Sequence, residues 1–280
     1  MVKIVSKKIL RQHEKQIFRM AIRISIFDIR QFPACDNIDE HSSFLPLSLD
    51  QSRILKFHVR NDRCRALASD LLIRKACKNK IALFRRTDDS GLPIKPCHSD
   101  FLFNVSHDED FVILAESDSH AVGIDIMRVK QSNPNIALSK MLENLRNIFT
   151  CNEWEYIHSH SNGKLRRFFH VWTAKEAYVK AIGTGLYTEP ESVFVEGLSD
   201  MYHIDPHIVH QCNEEKSKKF TSKILNNLIE DYVITVCTGP LIECDDSWTK
   251  FCTSRNFEPS CPASISSVVK LSLEELVNYT

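Results

Sequence analysis

A long amphipathic helix constrains the fold of this chain more than any other feature of its sequence. From Leu165 to Ile182, apolar residues recur at helical spacing, and Gly183 is well placed to end the helix. At about 100° per residue, the apolar side chains form one stripe, made of Leu165, Phe168, Phe169, Trp172 and Val179. Such a stripe faces a packed core, and a content of 43% hydrophobic residues is sufficient to build one.

An acid and a base lie on the apolar side of this helix. Glu176 falls within the stripe, where burying a lone carboxylate would cost on the order of several kcal/mol. Its carboxyl group must therefore be paired, protonated or bound to a metal. Lys180 follows one turn later on the same side. The two residues are either functional groups or an ordinary helical ion pair worth about 0.3–0.5 kcal/mol.

A predicted strand at 122–126 contains a second candidate acid. Period-two alternation puts Gly123 and Asp125 on one side and only aliphatic side chains on the other. Aspartate is rare inside strands, and a neighbouring glycine permits the close approach of a ligand or of another backbone. Asp125 is therefore either a functional carboxylate or a group that caps the strand and accepts nearby backbone amides.

A third group of polar residues lies at 103–107 and upstream of it. The predicted strand ends in Ser106 and His107, which can both donate hydrogen bonds to phosphate oxygens. Arg85, Arg86 and Arg53 add guanidinium groups, which suit bidentate recognition of phosphate. Together with the two carboxylates, these residues predict a divalent cation and a phosphorylated substrate inside a basic rim.

Local patterns predict two successive sets of helices and strands. The first set has a strand at 21–29, helices at 49–58 and 62–78, a loop at 87–93, and extended runs at 101–105, 111–116 and 121–127 that suggest an antiparallel meander. The second set has a mostly helical stretch at 134–183, with one helix opening at Cys151, and strands at 193–196, 218–225 and 231–237. A strand at 264–271 and a helix with a capping box at Ser272 come last.

Composition and spacing exclude several classes of protein. The 280 residues include 36 Lys and Arg against 36 Asp and Glu, which disfavours a non-specific nucleic-acid coat. The longest apolar run, at 111–115, is too short to span a membrane. Ten cysteines are scattered without a paired spacing, so reduced thiols are expected. Pro206 interrupts the helical spacing of the histidines at 203, 207 and 210, which argues against a metal site there.

Three motifs resemble, in order, those of the 4′-phosphopantetheinyl transferases of the large, two-subdomain type. They are Asn104-Val-Ser-His107, Gly123-Ile-Asp-Ile126 and Trp172-Thr-Ala-Lys-Glu-Ala-Tyr-Val-Lys180. The last motif is the most specific of the three. The resemblance extends over roughly residues 20–240 and the last fifteen, and it is greatest to the animal cytosolic branch of the family.

The resemblance implies an α+β fold of two similar αβ subdomains, a pseudo-dimer with the active site between its halves. We accordingly expect a basic N-terminal extension at 1–19, subdomains at 20–123 and 124–240, a linker at 241–263, and a terminal strand and short helix at 264–280.

The resemblance also implies a reaction. Members of the family transfer the 4′-phosphopantetheine group of coenzyme A to a serine of an apo acyl or peptidyl carrier protein, in a Mg²⁺-dependent step that releases adenosine 3′,5′-bisphosphate. By this resemblance Asp125 and Glu176 bind the metal, and Glu176 and Lys180 are catalytic. The residues implied to bind coenzyme A are Arg53, Arg86, Thr87, Asn104, Ser106, His107, Lys175 and Lys180.

Two positions depart from the family pattern. Met127 stands where the bacterial branch has a magnesium-binding glutamate, and a thioether is a poor ligand for a hard cation, so water is expected in that place. Leu92 replaces a lysine or arginine, a role left to Lys95 or Arg86. These departures keep one alternative open, a homologue that only binds coenzyme A or carrier protein. A Mg²⁺-dependent nucleotide hydrolase is a third interpretation of the same residues.

The expected partners follow from the same resemblance. They are coenzyme A and carrier domains, of the fatty-acid synthase type or of the aminoadipate-semialdehyde dehydrogenase type, with no nucleic acid and no membrane. We expect a cytoplasmic monomer. The first 27 residues contain seven Lys and Arg but only one acid, so a mitochondrial import signal is the alternative to a frayed basic N-terminus.

Overall fold

Two β-sheets packed against each other form the centre of the molecule, which is a mixed α/β fold. The computed structural model describes residues 21–33, 54–76, 102–117, 120–131, 133–183, 189–198, 220–239 and 263–278, and the backbone of 207–210.

The described elements are as follows in chain order. The strands are β1 (Ala21–Asp28), β2 (Leu102–Asp108), β3 (Phe111–Ser117), β4 (Ala121–Arg128), β5 (Val193–Glu196), β6 (His207–His210), β7 (Phe220–Ile224), β8 (Tyr232–Gly239) and β9 (Ser264–Leu271). The helices are α1 (Arg60–Ala76), α2 (Leu138–Asn144), α3 (Cys151–His158), α4 (Lys164–Ile182) and α5 (Leu273–Val277). Short 3₁₀ helices lie at Ile29–Gln31, Arg146–Ile148 and Pro190–Ser192.

The first sheet has the strand order β2-β3-β1-β9. β1 pairs antiparallel with β3 and parallel with β9, so the last described strand lies in the same sheet as the first described strand. Ile22, Ile24 and Ile26 alternate along β1, and all three point toward the second sheet. Helix α1 covers the other face, where Leu67 and Leu71 are buried against the strands. The helix predicted at 62–78 is confirmed in its described part.

The second sheet has the order β4-β8-β7-β6-β5, with antiparallel pairing throughout. The predicted strands of the second half are confirmed as β5, β7 and β8. Helix α4 covers the outer face of this sheet. It ends as predicted at Gly183, which has a left-handed φ of 76° and donates its N–H to Val179 O at 3.0 Å.

Capping boxes lie at the N-termini of helices α3 and α5. Thr150 Oγ1 accepts the N–H of Glu153 at 3.2 Å, and the Glu153 carboxylate accepts the Thr150 N–H at 2.8 Å, so α3 opens at Cys151 as predicted. Ser272 and Glu275 form the same arrangement before α5.

Three hydrophobic clusters define the layers. One lies between α1 and the first sheet, and another lies between α4 and the second sheet. The third joins the sheets: isoleucines of β1 and β3 pack against Val122, Ile124 and Ile126 of β4 and against residues of β8. The layers therefore follow the order helix, sheet, sheet, helix.

The expected meander of three strands is only partly correct. β2 and β3 form the predicted hairpin, but β4 leaves the first sheet and pairs with β8 instead. Its aliphatic face meets the first sheet face to face, because burying that face requires a second layer rather than an edge. The expected subdomain border at residues 123 and 124 thus falls inside a strand of the second sheet.

Within the described stretches, no helix is both long enough and apolar enough to cross a bilayer.

Candidate active site

Helix α4 lies close to β4 because Gly123 has no side chain. A Cβ at this position would overlap the carbonyl oxygen of Ala177 and the amide nitrogen of Ala181. Alternation puts Asp125 on the same side of β4 as Gly123, so its carboxylate faces α4. The glycine in the motif therefore permits helix–strand contact, which brings the acid of the strand to the polar residues of the helix.

Side chains of β2 hydrogen-bond to β4 although the two strands belong to different sheets. Asn104 Oδ1 accepts the Ile124 N–H at 3.1 Å, and Asp108 Oδ2 accepts the Arg128 N–H at 2.6 Å. Between them, Ser106 Oγ donates to Asp125 Oδ1 at 2.9 Å. The three residues share one face of β2 because they alternate along it. The side-chain oxygen of Asn104 therefore helps to join the two sheets.

Lys180 completes a cluster drawn from three elements. Its Nζ donates to Asp125 Oδ1 at 2.5 Å and to Ser106 Oγ at 2.9 Å. Asp125 is only 4% exposed, so the lysine supplies a positive charge at a carboxylate that has lost most of its hydration. Ser106 of β2, Asp125 of β4 and Lys180 of α4 therefore meet where the two sheets and the helix converge.

Glu176 lies one turn before Lys180 on α4 and is half-buried. Burial raises the pKa of its carboxyl group, the negative charge of Asp125 raises that pKa further, and Lys180 opposes the shift. The two predicted metal ligands are thus close enough to repel each other. A cation between them would remove that repulsion.

The donor set fits a hard divalent cation. Asp125 Oδ2 is buried, and among the described residues no group hydrogen-bonds to it. The described residues contain no cluster of three or more His, Cys, Asp and Glu side chains that could hold a metal. Two carboxylates are nevertheless sufficient for a cation that completes its shell with water and substrate phosphates. Met127 packs instead against the hydrophobic cluster around α4.

His107 lies on the opposite face of β2 from Ser106 and is exposed at the edge of the site. Partial loss of hydration lowers the pKa of its imidazole, and the positive charges of Arg65 and Lys180 lower it further. Arg65 donates to the carbonyl oxygen of Glu109 at 2.6 Å, in the turn that follows β2. Arg65 and Lys180 therefore place positive charge near His107, although Arg65 is also paired with Asp62.

Lys175 is the predicted coenzyme A ligand that the fold does not bring to this cluster. Its side chain is 2% exposed and pairs with Glu153 of α3, with Nζ 3.0 Å from Oε2. It also donates to the carbonyl oxygens of Ile148, Pro190 and Val193.

Three other predicted ligands, Arg53, Arg86 and Thr87, lie outside the described residues, as do Leu92 and Lys95. Their roles stay predictions.

Comparisons with known proteins identify the family. A model described as the 4′-phosphopantetheinyl transferase superfamily matches residues 121–237, and one described as 4′-phosphopantetheinyl transferase, N-terminal, matches residues 33–119. A 4′-phosphopantetheinyl transferase of Aneurinibacillus migulanus is 33% identical over 172 residues, which cover 58% of this chain and 68% of that relative. The chain belongs to the 4′-phosphopantetheinyl transferase family. The family predicted from three short motifs is thus confirmed.

Two further relatives match shorter parts of their own length. A phosphopantetheinyl transferase of a Thraustochytrium species is 37% identical over 151 residues, which cover 49% of this chain and 52% of the relative. The L-aminoadipate-semialdehyde dehydrogenase-phosphopantetheinyl transferase of Mus musculus is 33% identical over 150 residues, which cover 49% of this chain and 48% of the relative. The chain therefore matches about half the length of these two members of the family.

Two residues near the site, Asp108 and Arg65, were not predicted from the sequence. Asp108 continues the alternation of Asn104 and Ser106, so period-two spacing along β2 was a signal for it. Burial raises the pKa of Asp108, and the negative charges of Glu109 and Asp125 add to the shift. Arg65 lies within α1 and carries no comparable signal, since its place beside His107 depends on how α1 packs.

Proposed function

We propose that this chain transfers the 4′-phosphopantetheine group of coenzyme A to a serine hydroxyl of a carrier protein. The observation that carries the proposal is the convergence of Ser106, Asp125 and Lys180 within hydrogen-bond distance, with Glu176 one turn away on α4. Family membership supplies the substrates, and this cluster supplies the chemical groups that the reaction needs.

The reaction exchanges one phosphorus–oxygen bond for another. The oxygen of the carrier serine bonds to the phosphorus next to pantetheine, and the bond from that phosphorus to the bridging oxygen of the pyrophosphate breaks. Adenosine 3′,5′-bisphosphate leaves with the bridging oxygen. The serine must lose its proton, and the leaving phosphate must have its new charge stabilised.

Glu176 is the base in this proposal. Burial and the charge of Asp125 raise its pKa, which makes its carboxylate a stronger proton acceptor than an ordinary glutamate. The aromatic residues of the same stripe, Phe168 and Trp172 among them, pack in the cluster around α4 and help to limit the access of water.

Lys180 stabilises the leaving phosphate. Its ammonium group already donates to Asp125 and Ser106, so it is held in a fixed direction before substrate arrives. His107 is a further proposed donor to phosphate oxygens, and Ser106 can donate to one only by giving up its hydrogen bond to Asp125.

Asp125 and Glu176 would hold Mg²⁺, because they are two neighbouring carboxylates and Asp125 has a buried oxygen with no partner among the described residues. When bound, the ion supplies positive charge that offsets the charge of the pyrophosphate oxygens.

We also infer that the fold is a pseudo-dimer of two similar lobes, one built on each sheet. The support is a repeated order of elements. β1, α1 and the β2–β3 hairpin come first, and β4, α4 and the β7–β8 pair repeat them. In each set the last strand pairs antiparallel with the first. The site lies between the lobes, since Ser106 comes from one sheet and Asp125 from the other.

The proposed acceptors are carrier domains of the fatty-acid synthase type and of the aminoadipate-semialdehyde dehydrogenase type. The support for the second is the name of the Mus musculus relative. The predicted compartment and monomeric state stay predictions from the sequence.

The proposed function is tested by incubating the chain with coenzyme A, Mg²⁺ and an apo carrier protein, and measuring phosphopantetheine on the carrier by mass spectrometry. We expect transfer by the wild type, loss of about 10²–10⁴-fold in Glu176→Gln, and no change in Glu155→Gln, an exposed control on α3. Coenzyme A binding without transfer would favour a non-catalytic homologue. Phosphate release without a carrier would favour a hydrolase.

A further inference from the structure

A fully buried ion pair lies directly beside the proposed base in the sequence. Lys175 precedes Glu176 in α4, and the two side chains leave the helix about 100° apart. Glu176 is near Asp125, whereas Lys175 points to the start of α3 and to β5. Lys175 is 2% exposed and Glu153 is fully buried. A buried charged pair of this kind needs many hydrogen bonds to be tolerated.

The ammonium group of Lys175 has all the partners that it can use. Its three N–H groups face Glu153 Oε2 at 3.0 Å and the carbonyl oxygens of Val193 at 2.6 Å, Ile148 at 3.0 Å and Pro190 at 3.1 Å. These oxygens belong to α3, to β5 and to two 3₁₀ helices. One side chain of α4 therefore joins four separate segments.

Both carboxylate oxygens of Glu153, the other member of the pair, also accept hydrogen bonds. Its Oε1 accepts the Val195 N–H at 2.8 Å, and its Oε2 accepts the Thr150 N–H at 2.8 Å as well as Lys175. The capping glutamate of α3 is thus also the counter-ion of α4. Substituting either residue would leave the other as a buried charge without its partner.

Two other contacts, made by residues on either side of Lys175 in the sequence, hold α4 against the second sheet. The backbone of Ala177 touches Gly123 of β4, and Thr173 Oγ1 lies 2.6 Å from Thr235 Oγ1 of β8. These contacts set the distance from the helix to the sheet. The Nζ of Lys175 is fixed on another side of the helix, one residue from Glu176, so it restricts rotation of the helix about its axis.

From these contacts we propose that Lys175, through its pair with Glu153, is a positioning residue that orients Glu176 toward Asp125 and does not bind coenzyme A. The proposal rests on the proposed function, in which Glu176 is the base. The Lys175 side chain is 2% exposed and its donors all face protein oxygens, so it is poorly suited to reach a phosphate, whereas the side chain of Lys180 is 28% exposed.

The test separates binding from catalysis in Lys175→Met, with Lys140→Met, an exposed lysine of α2, as the control. Coenzyme A affinity is measured by calorimetry, and kcat and KM are measured in the transfer assay. We expect kcat to fall about tenfold to a hundredfold while the Kd of coenzyme A changes less than about twofold. A ligand would show the reverse pattern, and a tenfold rise in Kd would overturn the proposal.

A double-variant comparison shows whether Lys175 acts through Glu176. If it does, adding Lys175→Met to Glu176→Gln lowers the residual rate by less than about twofold. Multiplication of the two single effects would overturn the proposal, and so would a lower melting temperature with unchanged kcat. If Lys175→Met does not fold, Glu153→Gln/Lys175→Met takes its place, because it removes both buried charges.

Failure of the proposed function gives a different result. A wild type that binds coenzyme A without transfer removes the transferase assignment, and the Kd of Lys175→Met still decides whether Lys175 is a ligand. A wild type that neither transfers nor binds coenzyme A overturns both.

Discussion

Asp125 is the residue on which the candidate site converges. One of its oxygens accepts hydrogen bonds from Ser106 and Lys180, and the other has no partner among the described residues. A buried carboxylate with one paired and one unpaired oxygen is suited to bind a cation while a lysine holds it in place. This division explains why an aspartate stands inside a strand of aliphatic residues.

Lys180 provides the most direct test at this scale. We predict that Lys180→Met lowers kcat about 10²–10³-fold, because a donor held in place for the leaving phosphate is lost. Steady-state transfer assays at saturating coenzyme A check this. Lys140→Met is the control, and a loss of less than about threefold in Lys180→Met would contradict the role.

Gly123 shows how one residue sets the distance between two elements. In Gly123→Ala, the added methyl group would overlap the backbone of α4, so the helix must move away from β4. We predict a loss of about 1–3 kcal/mol in the free energy of unfolding and a fall in transfer that stabilising conditions do not restore. Urea titration and the transfer assay measure the two effects, and full activity in this variant would show that the close contact is not needed.

Helices α3 and α4 are joined by a buried pair whose charge state depends on pH. Tyr156 Oη lies 2.9 Å from His170 Nδ1, and among the described residues no group hydrogen-bonds to His170 Nε2. Burial lowers the pKa of His170 to about 4, and the charges of Arg166 and Arg167 add to the shift. The folded state therefore favours the neutral imidazole.

Because of this pair, we predict that the folded state loses stability in acid. The imidazole of the unfolded chain takes up a proton as the pH falls through about 6.5, whereas the folded one resists until about 4. Its contribution is thus fully present above about pH 6.5 and lost as the pH falls toward 4, by roughly 3 kcal/mol in total. Urea titrations from pH 7.5 to 5 should show a smaller pH slope for His170→Phe than for wild type. Equal slopes would contradict the assignment.

Individual helices and strands can be predicted from this sequence more reliably than the strands and side chains that each of them contacts. Helix α4 and its glycine end follow from local spacing, and so does the strand that carries Asp125. That β4 pairs with β8 instead of β3 does not, because both partners are apolar strands and the choice depends on packing between sheets. Lys175 is a similar case. Helical spacing gives the direction of its side chain but not the carbonyl oxygens that meet it there.

The two sheets share one hydrophobic cluster and one site. Ile24 of β1 and Ile124 of β4 lie in the cluster between the sheets, and Ser106 and Asp125 join the sheets at the site. We therefore expect the sheets to unfold together and activity to be lost in the same transition.

Ile24→Ala tests this coupling. Removing a buried isoleucine should lower the free energy of unfolding by about 2–5 kcal/mol, while Ile136→Ala, at an exposed position, should change it little. Calorimetry should show one transition, with the loss of transfer activity following it. Two separate transitions would contradict a shared core.

The mass of an apo carrier protein after incubation with coenzyme A, Mg²⁺ and this chain decides whether the site transfers phosphopantetheine. We expect the wild type and Glu155→Gln to add one phosphopantetheine group to the carrier serine, and Asp125→Asn and Glu176→Gln to leave the carrier in its apo form over the same time. An unmodified carrier with the wild type, or full modification by either site variant, would contradict it.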